Sequence, residues 1–424
     1  MMTEHGGLSL LFNIKEDRMQ ALVGLLNQLS DNMYDSDLIP YRKLTTIHLS
    51  RWVILEKTEN AFGEPIPSHL YFETNYDGNE ADHVNQLLDY ASTGLVEILK
   101  HCEGFPEVEN VSRDDLHAYI MRHWVKNEGL FIGAWGRSVE QIHQEKKLRE
   151  DIENYLDENR DELLKKSPLE IRNQIRDYFW KTAPWTRKPM ASRNSKQKFV
   201  YYGTIASLVF RGIILFPLIL LTAVFFFVKL RLIELKEPLT SDKVDKSRVS
   251  MLENREAYNT QSQFSAVGNI KPGWFRFAFL KGSLWMINRV SRFVMNKGRL
   301  GTIPTIHFAR WIFIDNNKRL LFISNVDGNS EQYLTDFINK QAGPMSAVFC
   351  HTQDFPKTRW LVLDGARDYR RFLTWSRMKQ IPSQVWYSAY PDLTVKNINN
   401  NTAIRQGLYG SMTNREAQNW LNLL

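Results

Sequence analysis

The sequence predicts an α+β protein made of two similar halves, and three observations carry this prediction. TIHLSRW at residues 46–52 recurs as TIHFARW at 305–311, and NYDGN at 75–79 recurs as NVDGN at 325–329. Patterns typical of strands and helices follow one another in the same order in both halves. A mostly apolar tract, Phe199–Val228, separates the two halves.

The first half has the pattern strand, helix, strand, strand, helix, strand, with one extra helix before the last strand. The long connection inside its hairpin contains Gly and Pro, which favour loops. The predicted elements are a strand at Leu8–Ile14, a helix at Glu16–Leu29, hairpin strands at Thr46–Leu55 and His69–Thr74, a helix from Glu80 past Leu95, a helix at Asp114–Trp124 and a strand at Gly129–Trp135.

The second half repeats this order. Its segment KPGWFRFAF, which begins at Lys271, fits the end of the first strand region better than a membrane-surface segment. The predicted elements are a first strand region at Gln263–Leu280, a helix at Gly282–Met295, a hairpin at Thr305–Ile314 and Arg319–Ser324, helices at Ser330–Gln341 and Asp368–Lys379, and a closing strand at Gln384–Ala389.

The hairpin strands are apolar on both faces, which predicts what covers them. Successive side chains of a strand point to opposite faces, and Thr305–Ile314 is apolar at both sets of positions apart from His307 and Arg310. Helices can cover one face of such a sheet. We therefore expect the sheet of the other half to cover the second face, as two ferredoxin-like (βαββαβ) repeats forming a pseudo-dimeric barrel.

Composition limits the class of protein. The chain has 424 residues, is 43% hydrophobic and carries a formal net charge of +7, which suits two ordinary domains and an anchor. The basic excess flanks the apolar tract, which favours anionic lipid headgroups over nucleic acid. The predicted lipid contacts are Lys188, Arg193, Lys196, Lys198, Lys229 and Arg231.

The apolar tract predicts membrane contact without fixing its topology. About 20 apolar residues suffice to cross a hydrocarbon core as a helix, but basic residues lie on both flanks, so the usual charge asymmetry is weak. A single crossing helix and a re-entrant hairpin that turns near Arg211 or Pro217 both remain open. The N-terminus lacks a secretory pattern, and only Cys102 and Cys350 occur, so we expect soluble domains on the cytoplasmic face of a membrane.

The predicted organisation has six parts. Ser167-Pro168-Leu169-Glu170 predicts a helix start with a capping box, which divides the charged extension into two helices. The parts are repeat 1 at 1–137, a charged helical extension at 138–181, a basic linker at 182–198, the membrane segment at 199–233, a linker at 234–262 and repeat 2 at 263–424.

These residues resemble a known group. The duplicated order looks like the dimeric α+β barrel superfamily, and the segments IHFARW, SNVDGNSEQYL and QVWYSAYPDLTVKNI are similar to bacterial proteins placed near the dye-decolourising-type haem peroxidases. The resemblance implies haem as a cofactor and a peroxidase-like or monooxygenase-like oxidoreductase. However, Asp77 and Asp327 stand in NxDGN, which lacks the first Gly of the peroxidase motif GxxDG.

The candidate catalytic residues are Asp327, Arg310 and His307, with Asp77, Arg51 and His48 as their equivalents in repeat 1. A carboxylate at a sheet edge can act as an acid or base beside an Arg; the same Asp and Asn can also simply terminate a strand and cap a helix. Each Arg lies among apolar neighbours, so it needs an internal carboxylate or an anionic ligand as a partner.

His101 and His351 are the weaker candidates for holding a cofactor, and no metal site is expected because no zinc-ligand spacing occurs. The chain also lacks P-loop, GxSxG, HExxH and kinase signatures. Two hypotheses remain. One is a membrane-associated protein that binds an apolar or lipid-like ligand between its repeats, as a peroxidase-related oxidoreductase. The alternative is a non-catalytic, membrane-anchored adaptor that docks a protein partner.

Overall fold

The structure is a computed structural model, and it describes residues 3–108, 110–188, 195–240, 247, 249–252, 260–293, 300 and 302–424. Within these residues the strands are β1 (His5–Asn13), β2 (Ile47–Leu55), β3 (Thr58–Glu59), β4 (Pro65–Ile66), β5 (His69–Asp77), β6 (Asn127–Ile132), β7 (Gln261–Asn269), β8 (Ile306–Ile314), β9 (Arg319–Asp327), β10 (Thr358–Arg359), β11 (Leu363–Asp364) and β12 (Val385–Ser388).

The α-helices in the described residues are α1 (Met19–Asp31), α2 (Glu80–Leu99), α3 (Arg113–Arg122), α4 (Val139–Glu158), α5 (Arg160–Leu163), α6 (Pro168–Thr182), α7 (Ser195–Leu235), α8 (Trp274–Phe293), α9 (Ser330–Phe349), α10 (Tyr369–Lys379), α11 (Val395–Gln406) and α12 (Asn414–Leu421). The chain is therefore a mixed α/β protein, as the sequence predicts.

Two four-stranded antiparallel sheets form the centre of the molecule. Their strand orders are β1-β5-β2-β12 and β6-β8-β9-β7. Each half thus gives its closing strand to the sheet of the other half: β12 pairs with β2, and β6 pairs with β8. The sequence identifies these closing strands, but it assigns each to its own repeat, which is wrong. The predicted domain boundaries at residues 137 and 263 therefore do not separate the two sheets, because each sheet contains one strand from the other half.

The two sheets pack face to face, as their two-sided apolar pattern predicts. All nine residues of β2 and all nine of β8 are buried. One apolar cluster combines side chains from both sheets: Val53, Leu55, Tyr71, Ile312, Ile314, Leu321 and Ile323. Helices cover the outer faces, with α1 and α2 on the first sheet and α8, α9 and α10 on the second.

The NxDGN segments end a strand and begin a helix in both halves. Gly78 and Gly328 have φ values of 92° and 71°, in the region that favours glycine. Asn79 accepts a hydrogen bond from the backbone of Asp82, and Asn329 does the same from Gln332. The predicted turn and helix cap are confirmed, and Asn is the capping residue, so the Asp that precedes Gly has another task.

The segment KPGWFRFAF departs from its prediction. The strand ends at Asn269, and a helix runs from Trp274 to Phe293. Alternating aromatic residues suggested a strand, but Leu280 and Leu284, four residues apart, are both fully buried, which is the spacing of one helix face. The helix predicted at Ser330–Gln341 is also longer than expected, because α9 continues through a kink at Gln341 to Phe349.

A layer of helices stands beside the sheets. The predicted capping box at Ser167 is confirmed, and it begins α6. The charged extension packs on the C-terminal helices, since α4 packs on α11 and α6 packs on α12. Their shared core consists of Leu148, Ile152, Tyr155, Leu163, Ile175, Phe179, Ile404, Leu408 and Trp420.

The apolar tract forms one helix. α7 continues without a break from Ser195 to Leu235 and includes both Arg211 and Pro217, so the predicted alternative of a hairpin that turns at one of these residues is wrong. By length and composition, Lys198–Leu218 qualifies as a possible membrane span, with a mean hydropathy of 1.7.

Candidate functional site

A buried charge cluster lies between the two sheets. Arg51 on β2 contacts Glu73 through Nε and Oε1 at 2.7 Å, and Arg310 on β8 contacts the other oxygen, Oε2, at 3.1 Å. All three side chains are at most 1% exposed. The internal carboxylate that each Arg requires is therefore Glu73. Neither Arg pairs with Asp77 or Asp327, contrary to the sequence-based prediction.

The remaining guanidinium nitrogens bind the opposite sheet in equivalent ways. Arg51 donates to Ser265 Oγ at 2.8 Å and to the Ser324 carbonyl at 3.0 Å. Arg310 donates to Ser9 Oγ at 2.9 Å and to the Thr74 carbonyl at 3.0 Å. Each Arg also donates to the side-chain oxygen of an Asn, which is Asn325 for Arg51 and Asn75 for Arg310. Both cations are thus held by protein groups.

Glu73 has no counterpart in the second half. The offset of 250 residues that relates Asp77 to Asp327 places Ile323 at the equivalent position. One carboxylate therefore serves two guanidinium groups and leaves one excess positive charge in the interior. Burial lowers the pKa of Arg51, and the Glu73 carboxylate opposes that shift. Carbonyl and hydroxyl dipoles disperse the excess charge.

A second cluster surrounds Asp77 at the end of β5. Its Oδ1 lies 2.9 Å from His48 Nε2 and 3.0 Å from His5 Nδ1, and its Oδ2 accepts the Val139 backbone N–H at 2.9 Å. Burial raises the pKa of Asp77, but the hydrogen bonds from His48 and His5 outweigh burial and hold it well below its usual range. His48 Nδ1 contacts the Tyr390 hydroxyl at 2.8 Å.

The equivalent cluster in the second half is simpler. His307 Nε2 lies 2.7 Å from Asp327 Oδ1, and both Asp327 oxygens accept the Val395 backbone N–H, at 3.2 and 3.1 Å. Val139 and Val395 are the first residues of α4 and α11, where free N–H groups favour an anion. The task of each Asp is therefore to join the end of a strand to a helix start.

The two clusters differ in their accessory groups. Gln261 takes the place of His5, and it donates to the Tyr390 carbonyl at 2.8 Å. The fully buried Nδ1 of His307 has no hydrogen-bond partner among the described residues. The structure thus brings together His48 with Asp77 and His307 with Asp327, while Arg51 and Arg310 belong to the separate cluster around Glu73.

The group of His5, His48 and Asp77 has the composition of a metal site, with its ligand atoms within 4.8 Å of one another. Its hydrogen bonds oppose that function. The Gly136 N–H donates to His5 Nε2 at 2.8 Å, so in neutral His5 the ring proton is on Nδ1, facing Asp77. A metal would need a lone pair on that same Nδ1. The residues present therefore do not fit a metal at this position.

Of the matched histidines, His48 does not fit an axial ligand of haem. His48 uses both nitrogens for protein contacts, and His307 uses Nε2 for Asp327. Among the described residues, both buried ring nitrogens of His351 and the buried Nδ1 of His101 have no hydrogen-bond partner. Burial lowers the pKa of His351 to about 3 and also lowers that of His101.

The two thiols lie next to these histidines and are free and buried. Burial raises the pKa of Cys102 and of Cys350 to about 12 in each case. Neutral buried thiols behave as small apolar groups.

Two of the predicted lipid contacts have partners inside the protein. Lys229 Nζ lies 4.8 Å from the ring centre of Trp274 and 4.9 Å from that of Phe275. Arg231 pairs with Glu234 at 3.2 Å. Lys188 and Lys198 are exposed, whereas Arg193 and the side chain of Lys196 lie outside the described residues.

Sequence reasoning missed three residues of these clusters. Glu73 stands in the otherwise uncharged strand segment LYFETN, and a lone carboxylate there is a signal that could have been used. His5 carries no such signal because Gln261 replaces it in the second half. Tyr390 reaches His48 only through the exchange of β12, which the sequence does not predict.

Comparisons with known proteins add nothing to this description: no family model, curated protein or solved structure matches the chain.

Proposed function

We propose that this chain is a non-catalytic, membrane-attached docking protein with its folded domains on the cytoplasmic face. The observation that carries the proposal is the Arg51–Glu73–Arg310 cluster, which occupies the space between the sheets where a ligand would bind. A ligand-binding protein of this design would direct a cationic side chain toward its ligand. Here each guanidinium group is paired with carboxylate, carbonyl and hydroxyl oxygens of the chain itself.

The packing around this cluster supports the same conclusion. The apolar groups of both sheets are in mutual contact around the ion pairs.

Membrane attachment is supported by the surface of α7. Several of its large apolar side chains are more than 60% exposed, among them Phe199, Phe210, Ile213 and Val224. A monomeric soluble protein rarely exposes a contiguous apolar surface of this kind. The exposed Lys188 and Lys198 would contact anionic headgroups.

The alternative proposal is a peroxidase-related oxidoreductase with an apolar ligand between two ferredoxin-like repeats. The repeated βαββαβ order and the facing sheets support this relationship. The unpartnered Nδ1 of His307 is the specific observation that favours chemistry at the second cluster, and a buried nitrogen of this kind would bind a ligand donor.

Three measurements on the full-length protein, purified in mild detergent after expression with haem precursor and iron, separate these proposals. We expect a flat visible spectrum, no stoichiometric small molecule in organic extracts, and flotation with vesicles made of phosphatidylcholine and phosphatidylglycerol. A Soret band near one haem per chain, or one extracted ligand per chain, would overturn the non-catalytic proposal. Failure to float would overturn membrane attachment.

The partner surface is proposed on the helical layer. Leu164 and Tyr178 are apolar residues that this layer leaves 75% and 44% exposed. A photo-crosslinking amino acid at Leu164 should give one discrete adduct in native membranes, while the same group at Glu158, on the exposed end of α4, serves as the control. Equal adduct patterns at the two positions would contradict a specific docking surface.

A further inference from the structure

The proposed membrane attachment does not specify how α7 is oriented relative to the bilayer. Three features of the structure bear on this orientation. α7 has 41 residues, so it is about 60 Å long. The question is whether its two ends lie on opposite sides of a bilayer or on the same side. The contacts of its C-terminal end, its middle and its N-terminal end each bear on the answer.

The C-terminal end of α7 is locked to the folded body. The Glu234 carboxylate is 1% exposed and accepts four hydrogen bonds, from Arg231 at 3.2 Å, from Thr358 Oγ1 at 3.0 Å and from the backbone N–H groups of Trp360 and Leu361 at 2.9 and 2.8 Å. Trp360 and Leu361 have φ values of 54° and 69°, and successive N–H groups in such a turn form a concave anion site.

A second carboxylate extends this lock. Glu237, just beyond the helix, pairs with Lys271 at 2.6 Å and also with Arg276. Lys357 donates to the carbonyls of Leu235 and Glu237. The end of α7 is thus fixed to the β10–β11 turn and to the start of α8.

The C-terminal third of α7 contacts the body. Phe226 stacks on Phe275 of α8, with ring centres 5.5 Å apart. Nearer the N-terminus, α7 residues Phe199 to Arg211 line a groove of about 380 Å³ together with Arg289, near the other end of α8. α8 itself is anchored in the second core through Leu280 and Leu284. Residues of α8 therefore lie beside α7 at Phe226 and beside the groove lined by residues 199–211.

The N-terminal end of α7 is tethered to the same body. The Lys188 carbonyl accepts hydrogen bonds from Arg405 and from the Tyr409 hydroxyl, both in the helical layer. Seven residue steps separate Lys188 from Ser195, and a fully extended chain spans at most about 25 Å over that length. The hydrocarbon core is about 30 Å thick, so this connection is too short to cross it.

We infer that α7 lies in the plane of the bilayer, within the leaflet next to the body, with both of its ends on the same side. The partner is the acyl-chain and headgroup region of that one leaflet. No residue of the most apolar window within Lys198–Leu218 is buried in the protein, so in this placement lipid chains surround the apolar side chains of α7. The inference rests on the proposed membrane attachment and adds its topology.

Neighbouring aromatic residues extend the same face. Trp274 is 69% exposed, and it lines one groove with Phe62, which is 65% exposed. Phe62 belongs to the insertion between β3 and β4 that is unique to the first half. Trp360, beside Arg231, is 41% exposed. Tryptophan favours the membrane–water interface, so we place these rings at headgroup level.

The test uses introduced cysteines, since the native Cys102 and Cys350 are buried and give little background. Lys198→Cys and Leu239→Cys flank the apolar part of α7. After the full-length protein is added to sealed vesicles, a membrane-impermeant maleimide should label both positions from outside without detergent. Protection of Lys198→Cys together with labelling of Leu239→Cys would show a crossing helix and overturn the inference. Unmodified protein is the control.

A depth measurement gives an independent result. Tyr202, Ile213 and Val224 are 65%, 68% and 70% exposed and lie 11 residues apart, which places them on one face of a helix. Fluorophores attached to cysteines at these positions should have equal quenching depths in lipids that carry quenchers. A crossing helix instead makes the depth differ by about 16 Å between successive positions. Flotation without equal depths contradicts only this inference; absence of flotation contradicts the proposed function.

Discussion

Arg51 and Arg310 occupy equivalent positions on the two facing sheets and share the single carboxylate of Glu73. Each Arg also reaches across to the carbonyl of a residue on the opposite sheet, Ser324 for Arg51 and Thr74 for Arg310. The cluster therefore fixes the relative position of the sheets. Because only one half carries the carboxylate, the two sheets are not interchangeable despite their similar sequences.

Removal of the shared carboxylate should be costly. Glu73→Gln leaves two buried guanidinium groups without a counter-charge, and we expect the free energy of unfolding to fall by about 3–5 kcal/mol. The exposed pair of Glu64 and Lys318 supplies the control, since Glu64→Gln should cost less than about 1 kcal/mol. Denaturant unfolding of both variants measures the difference. A loss below 1 kcal/mol for Glu73→Gln would contradict the structural role.

The pH dependence of stability should contain a contribution from His83. Burial lowers the pKa of His83 to about 3, whereas an unfolded histidine has a pKa of about 6.5. The folded state therefore disfavours the protonated form, so this contribution is fully present above pH 6.5 and is lost as the pH falls toward 3. At pH 4.5 the loss amounts to about 2.5 kcal/mol.

His83→Gln tests this prediction, because Gln preserves a donor or acceptor for Thr74, whose hydroxyl lies 2.6 Å from His83 Nε2. The variant should lose about 2.5 kcal/mol less stability between pH 7 and pH 4.5 than the unmodified chain. Identical pH profiles for the two proteins would show that His83 is not held neutral. Asp77 also destabilises the fold in acid, but its contribution begins only below the pKa of about 3.9 of an unfolded Asp.

Two helix glycines should respond oppositely to the same substitution. A Cβ atom on Gly94 would lie 1.6 Å from the Leu38 carbonyl oxygen, whereas a Cβ on Gly24 meets no atom within 4 Å. We expect Gly94→Ala to destabilise the protein by about 1–3 kcal/mol and Gly24→Ala to stabilise it by about 0.5–1 kcal/mol. Thermal unfolding of both variants decides; equal shifts would contradict the close approach of Leu38 to α2.

The attachment of the C-terminal end of α7 to the β10–β11 turn should depend on Glu234. In Glu234→Gln the backbone N–H groups of Trp360 and Leu361 lose an anionic acceptor, at a cost of about 1–3 kcal/mol. Amide exchange should then accelerate in the last turns of α7 and in the β10–β11 turn. Glu158→Gln, on an exposed helix end, is the matched control. Unchanged exchange in Glu234→Gln would show that the helix end is held by other contacts.

The exchange of closing strands should make the halves mutually dependent. A fragment that ends at residue 245 lacks β12 for its first sheet, and a fragment that begins at residue 246 lacks β6 for its second sheet. We expect each fragment to aggregate when it is expressed alone, because an unpaired edge strand invites association. Co-expression should give a complex in which the two fragments purify together in mild detergent. Two fragments that purify separately as monomers in the same detergent would contradict the exchange.

Short-range patterns were enough to predict most elements. Runs rich in β-branched and aromatic residues predicted the positions of β2, β5, β8 and β9, and the Gly and Asn of the NxDGN segments predicted two turns and two helix caps. The facing sheets followed from the absence of a polar face on the hairpin strands. Each of these features depends on residues that are close together in the chain, so short sequence patterns are sufficient to predict it.

The remaining features depend on residues that are distant in the chain. β6 has the same apolar pattern whichever sheet receives it, so the pattern alone does not predict its pairing with β8. The Arg–Asp pairs were predicted from their proximity in sequence motifs, but strand direction places Arg310 against Glu73 and directs Asp327 toward α11. The re-entrant alternative failed because the backbone remains helical through Pro217, which has apolar residues on both sides in the sequence.

The exchanged strands also determine when the protein can fold during synthesis. The edge of β2 is completed by β12, which leaves the ribosome about 330 residues after β2 ends at Leu55. α7 emerges between them, so under the proposed membrane attachment the apolar helix would reach the bilayer while the first sheet still has an open edge. Pairing between strands this far apart in the chain forms slowly. The bilayer surface would then hold the incomplete first half in place until the last strand arrives.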